Sequence, residues 1–153
     1  MILTLKRLVK ITKMGFIKQF YYQTPHDHIM RPFITIEKRA KEALDFYSNI
    51  FSSFSLVSIK HHAEPHEELV MLAIFSIDGQ EIMISDSLIS HEWSITPGIS
   101  FFLEKDDEDS LKHLAESLGA GGKTHMPPGN YGFSTLFAWV EDKFGVNWQI
   151  NVE

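Results

Sequence analysis

The chain has 153 residues, no cysteine, 44% hydrophobic residues and a formal net charge of -6. That length can bury a sizeable core, and the lack of cysteine excludes disulfides, thiolate metal ligands and a cysteine nucleophile, so a cytoplasmic setting is the default expectation. The acidic balance disfavours a nucleic-acid partner, because phosphate neutralisation needs a clustered basic face.

The charge is unevenly spread. Lys6, Arg7, Lys10, Lys13 and Lys18 stand against Asp27 in residues 1–29, which leaves 9 basic and 19 acidic side chains, a formal -10, in residues 30–153. Residues 1–30 read as a basic extension in which Ile2, Leu3, Leu5, Leu8, Val9, Ile11, Phe16, Ile17 and Phe20 are interleaved with the lysines. The apolar runs are too short to span a bilayer, and neither a contiguous apolar stretch nor a small-residue cleavage site marks a secretory peptide. Three readings stand: an upstream extension whose native start is Met14 or Met30, an amphipathic segment docking on the domain or its dimer partner, and a membrane-surface segment.

From Arg31 onward the punctuation is regular. Pro32 to Ile36 reads as a strand, and Arg39 to Phe51 as a helix with Ala40, Ala43, Leu44 and Tyr47 on one apolar face. Strands follow at Leu56 to His61, Leu69 to Ile77 and Glu81 to Ser85, with Asp78-Gly79 as a tight turn between the last two. Ser87 to Gly98 links to a second unit: strand Ile99 to Glu104, helix Asp107 to Leu118, and strands near Lys123 to His125, Thr135 to Glu141 and Val146 to Val152. Asp106 or Asp107 can cap the second helix, and Gly119 is expected to take the left-handed conformation at its end.

The second unit repeats the first at an offset of about 66 residues, with Phe33-Ile34-Thr35-Ile36-Glu37-Lys38 matching Ser100-Phe101-Phe102-Leu103-Glu104-Lys105. The predicted class is α+β, a single domain over 31–153 made of two βαβββ modules, 31–87 and 98–153, forming a curved mixed sheet around a cleft. One such module leaves a sheet face uncovered, so two copies set against each other give a concave surface suited to a small molecule.

Asp45-Phe46-Tyr47, the Ile77-Asp78-Gly79-Gln80 hairpin with Met83 and Ser85-Asp86, and the run Trp139 to Ile150 together resemble the PhnB-like branch of the vicinal oxygen chelate superfamily. This superfamily holds glyoxalases, bleomycin-resistance proteins and extradiol dioxygenases, and the branch often bears the domain name 3-demethylubiquinone-9 3-methyltransferase. The resemblance covers residues 31–153 and implies a cleft between modules, usually in a homodimer. It also implies four metal-ligand positions, which fall here on Pro32 or Phe33, Met83, Ser100 and Gln149. Only Gln149 is an ordinary ligand type, so the usual chelate is not expected and no cofactor is assigned.

Strand alternation places Phe33, Thr35, Met83, Ser85, Ser100, Phe102, Asn147 and Gln149 on the expected cleft side. Two readings remain open for them: filling of the barrel interior, or a pocket for an aromatic or amphipathic molecule whose polar edge meets Asn147 and Gln149. The other candidates are weaker. His61, His62 and His66, with nearby glutamates, form a non-standard metal candidate, but their hairpin tip reads as a solvated loop. His26-Asp27-His28 lies in the extension, and His91, Glu92, His113 and His125 read as structural. Pro127 to Phe133 is either a lid that places Tyr131 over a ligand or a plain connection.

Gly119 to Thr124 carries the ending of a P-loop, but Ser117 replaces the leading glycine and the segment follows a helix. A glycine-rich turn of the S-adenosylmethionine-binding kind is absent as well, which argues against methyltransferase activity, and no nucleophile elbow is present. The expected function is binding of an unidentified small organic molecule, without the usual metal, by a cytoplasmic homodimer with no nucleic-acid or membrane partner. The alternative is a metal-dependent lyase, isomerase or dioxygenase drawing on Gln149, Glu81 or Asp86 and a partner's histidines.

Overall fold

Alternation along the strands decides which face each one buries. In β1 (Phe33–Glu37) Ile34 and Ile36 are buried while Phe33 and Glu37 are open. In β4 (Gln80–Ser87) Ile82, Ile84 and Asp86 are buried between half-open Glu81, Met83, Ser85 and Ser87. A computed structural model describes residues 30–153, of which Arg31–Glu153 form one compact unit. The three readings of the extension and the His26-Asp27-His28 candidate lie outside the described residues.

The first module comprises β1, α1 (Ala40–Ile50), β2 (Ser55–His61), β3 (Val70–Ile77) and β4. The second comprises β5 (Phe101–Glu104), α2 (Glu108–Gly119), β6 (Lys123–Gly129), β7 (Leu136–Glu141) and β8 (Asn147–Val152). Each builds a four-stranded mixed sheet, ordered β1-β4-β3-β2 and β5-β8-β7-β6, in which only the pairs β1/β4 and β5/β8 are parallel. The βαβ crossover puts each helix over one face of its sheet and leaves the other bare. Asp78 and Gly79 both have positive φ, 49° and 82°, the pair that a two-residue hairpin needs.

Two boundary expectations are corrected. Gly119 closes α2 without turning left-handed, and Gly121 instead has φ +77°, because the reversal comes after Ala120. β6 runs on through Pro127 and Pro128, since an edge strand tolerates residues without an N–H; the cost is a register shift between Met126 and Gly129. The expected cap at Asp107 is present, its carboxylate accepting from the Ser110 backbone N–H at 2.8 Å. α1 lacks a side-chain cap at Arg39. Instead buried Asp86 accepts from Ala40 N–H at 2.7 Å and from Val70 N–H at 2.8 Å, putting a carboxylate at the helix N-terminus.

The helix-facing sides of both modules merge into a single core. Its centre is aromatic. Tyr47 of α1 stacks on Phe75 with centroids 5.8 Å apart and meets Trp148 edge-on at 5.6 Å, while Phe51 and Phe101 flank the same indole at 5.4 and 5.0 Å. The Tyr47 hydroxyl donates to Asp142 at 2.8 Å, so the first helix is hydrogen-bonded to the β7–β8 turn. Outside this latch Glu42 accepts from Arg39 at 2.9 Å and pairs with Lys143 at 2.8 Å, and the Arg39 guanidinium lies 4.6 Å above the Phe144 ring.

The Arg39 hydrogen bond, with help from Lys143, holds the Glu42 carboxyl at about 2, below its ordinary 4.5. The folded form therefore binds this proton less readily than the unfolded chain does. The stabilisation from Glu42 is complete above pH 4.5 and is lost as pH falls toward 2. Acid titration of the unfolding midpoint should show a shallower fall over this window for Glu42→Gln than for the native chain, with the two curves parallel above pH 5.5 or so. Since Glu42 is exposed, salt should erode the difference. Among the described residues no helix is long and apolar enough to cross a membrane.

Candidate functional site

A cleft of ≈ 460 Å³ lies beside β1, the start of β5 and the connection between the modules, lined by bare-face residues of both sheets. Phe33 and Thr35 of β1 form one wall, and Ser100, Asn147 and the flank of Phe101 form the other. The third wall comes from the connection between modules, through Trp93, Ile95, Thr96 and Ile99. No lining residue carries a formal charge, and the aromatic and aliphatic groups outnumber the polar ones. This is the composition expected of a small-molecule site: mostly apolar, with a few placed hydrogen-bonding groups.

Four of the eight sequence-predicted residues, Phe33, Thr35, Ser100 and Asn147, thus line the cleft. Met83 and Ser85 lie on the same sheet face one strand away, in register with Phe33 and Thr35. Gln149 stands behind Ser100 and donates its Nε2–H to the Ser100 hydroxyl at 2.8 Å. Phe102, in register with Gln149, opens on a separate depression shared with Ile77, Gln80 and Ile82. Asn147 is 1% exposed and its amide is largely committed: Oδ1 accepts from the Trp139 indole at 3.0 Å and Nδ2 donates to the Gly145 carbonyl at 3.1 Å.

Sequence reasoning missed Trp93, Ile95 and Ile99. They sit in an irregular segment, where no period signals which way a side chain points. The positioning is nonetheless specific. Glu37, at the end of β1, accepts from the Ser90 hydroxyl at 3.0 Å and from His91 N–H at 2.7 Å, and this backbone bond holds its carboxyl below the ordinary range. His91 in turn bonds Ser87 Oγ at 2.8 Å and stacks on Trp93 with centroids 4.2 Å apart. Glu37 therefore anchors the segment that presents Trp93 to the cleft.

The four family ligand positions do not suit a divalent cation. Pro32 and Phe33 have no donor, Met83 offers a thioether, and the neutral Ser100 hydroxyl is already bonded to Gln149. The donors named for the enzyme alternative are also engaged. Asp86 holds two backbone N–H groups on the core side, and Glu81 pairs with Arg31. His61, His62 and His66 do not converge: His61 ends an exposed strand, the His62 ring contacts the Asp86 carbonyl at 3.4 Å, and among the described residues no set of three His, Asp or Glu could hold an ion. Tyr131 donates to the Pro127 carbonyl at 2.8 Å and meets Phe133 and Phe137 instead of the cleft lining.

Two tandem βαβββ modules, each a four-stranded mixed sheet backed by one helix, define a protein of the vicinal oxygen chelate fold. The profile of the 3-demethylubiquinone-9 3-methyltransferase family matches residues 28–151, and the chain belongs to that family, the PhnB-like branch of the superfamily. A PhnB protein from Bacillus cereus bearing the same methyltransferase description is 34% identical, with a TM-score of 0.77 over 81% of this chain and 98% of that one. A Pseudomonas aeruginosa protein of known structure, 23% identical, covers 81% of this chain and 96% of its own with a TM-score of 0.71, which shows the fold alone. Protein YjdN of Escherichia coli is 36% identical over 76 residues, 50% of this chain and 51% of that protein.

Proposed function

We propose that the protein binds a small aromatic or amphipathic organic molecule in the cleft between its modules, without a metal ion at the family's chelating positions, and that it does so as a cytoplasmic homodimer. The observation that carries this reading is the ≈ 460 Å³ cleft lined by Phe33, Trp93, Ile95 and Phe101 with no charged group. Apolar burial supplies affinity at roughly 25 cal/mol per Å² removed from water, and the few polar groups fix orientation. The methyltransferase name is not adopted as an activity. Each sheet has a single parallel pair, and among the described residues there is no glycine-rich turn at the end of a central parallel strand. For the dimer, the exposed apolar residues Leu56, Val57 and Ile59 on edge strand β2 are the supporting feature.

A thermal-shift panel of uncharged aromatic compounds tests the binding reading. At least one compound should raise the unfolding midpoint of the native chain, and Trp93→Ala should weaken its binding by about tenfold or more, as expected for loss of a stacking aromatic wall. A panel that leaves the midpoint unmoved throughout, or binding indifferent to Trp93→Ala, argues against this cleft.

A further inference from the structure

The hydroxyl of Ser100 is directional. It accepts from Gln149 Nε2–H at 2.8 Å, and no acceptor among the described residues receives its own proton. A hydroxyl holds one proton and two lone pairs, so with one lone pair taken by Gln149 the O–H is left to serve the cleft. Asn147, 1% exposed, contributes less. With its oxygen bonded to Trp139 and one amide hydrogen to Gly145, the amide retains a second N–H. The Ser100 corner of an otherwise apolar site therefore offers a donor in search of an acceptor, while the Thr35, Ser94 and Thr96 hydroxyls of the lining can turn either way.

Charge narrows the class further. Burying an anion here would strip its hydration with no cationic side chain in the lining to compensate, and the formal -10 of residues 30–153 adds long-range repulsion. A buried cation would likewise find no carboxylate in the lining. A neutral carbonyl escapes both penalties and satisfies the Ser100 proton. We infer that the cleft selects an uncharged aromatic compound bearing a ketone- or ester-type carbonyl, whose oxygen accepts from Ser100 Oγ–H, with Gln149 as the residue that positions that hydroxyl. This deepens the binding reading above and rests on it.

Isothermal titration with three compounds of one shape tests the inference: 1-acetylnaphthalene, 1-ethylnaphthalene and 1-naphthoate. The ketone should bind about tenfold more tightly than the ethyl compound, the difference one well-made hydrogen bond supplies, and the carboxylate should bind most weakly. Ser100→Ala should bring the ketone down to the affinity of the ethyl compound, Ser100→Thr should restore the gap, and Gln149→Leu should narrow it severalfold. Unchanged affinity for the ethyl compound certifies that each variant keeps its cleft. Equal binding of ketone and ethyl compound, or preference for the carboxylate, overturns the carbonyl assignment while the cleft reading stands. Failure of all three to bind overturns the carbonyl assignment, and the cleft reading falls with it only if the wider aromatic panel also leaves the unfolding midpoint unmoved.

Discussion

Replacing Asp142 by alanine is expected to cost about 4 kcal/mol of folding stability, a drop of roughly 15 °C in the unfolding midpoint for a domain of this size. The residue is 2% exposed and serves four donors at once: the Tyr47 hydroxyl at 2.8 Å, the Trp148 indole at 2.9 Å, and the backbone N–H groups of Phe144 and Val146 at 2.9 and 3.0 Å. Alanine leaves all four beside a void, and each unpaired buried donor costs about 1–3 kcal/mol before water or local relaxation recovers part of it. Asp142→Asn is the informative companion. Its amide oxygen can still serve the two backbone groups and the tyrosine can rotate to accept, but the indole N–H loses its acceptor, so a loss of about 2 kcal/mol is expected.

The pH signature separates charge from shape. Burial is the dominant influence on the Asp142 carboxyl and raises it above its ordinary value. The folded protein therefore holds this proton more readily than the unfolded chain. Its contribution is fully present below the unfolded value and is lost as pH rises through the raised folded one, opposite to the contribution of Glu42. Urea unfolding as a function of pH should show Asp142→Asn losing this downward component. A native-like midpoint for Asp142→Ala would refute the role of the carboxylate as the tie between modules.

Gly122→Ala is expected to cost about 3 kcal/mol. A methyl group there would run into the Glu141 carbonyl oxygen, with the Asp142 carbonyl carbon 2.7 Å and its Cα 2.9 Å away. These are backbone atoms of the β7–β8 turn, which cannot yield like a flexible side chain, and moving them also displaces Asp142 and the start of β8 where Asn147 meets the cleft. Gly98→Ala is the control. Its methyl would find only Thr96 Oγ1, at 3.6 Å, and its backbone is not left-handed, so chemical denaturation should place it within about 0.5 kcal/mol of the native chain. Equal stability of the two alanine variants would contradict the close approach.

These two positions illustrate what could be read from the chain alone. Both helices were legible because Ala40, Ala43, Leu44 and Tyr47, and again Leu111, Leu114, Ala115 and Leu118, recur at helical spacing and are the residues buried. The hairpin at Asp78-Gly79 was legible from turn chemistry. Sequence context rejects a phosphate loop in the glycine run before Lys123 but gives no reason for the glycines; at Gly122 the reason is a backbone contact with residues 141 and 142. In the same way Asp142 was visible only as part of a familiar run of residues; its work in joining Tyr47 to the β7–β8 turn depends on a packing that no local pattern encodes.

The cleft shows the same division. Strand period alone sorts Thr35 from Ile36 and Asn147 from Trp148. It does not say how far along each strand the modules meet, so Ser100 and Gln149 read alike although one lines the cleft and the other stands behind it. Trp93 gave no periodic signal because Glu37 and His91, contacts distant in sequence or irregular in backbone, are what aim it.

The most direct test of a metal-free aromatic cleft is elemental analysis of untagged protein, purified without chelator and then equilibrated with Mn²⁺, Ni²⁺ and Zn²⁺ in turn. The expected result is no ion retained in stoichiometric amount by the native chain and no change on Gln149→Ala. One ion per chain, released by Gln149→Ala, would contradict the account.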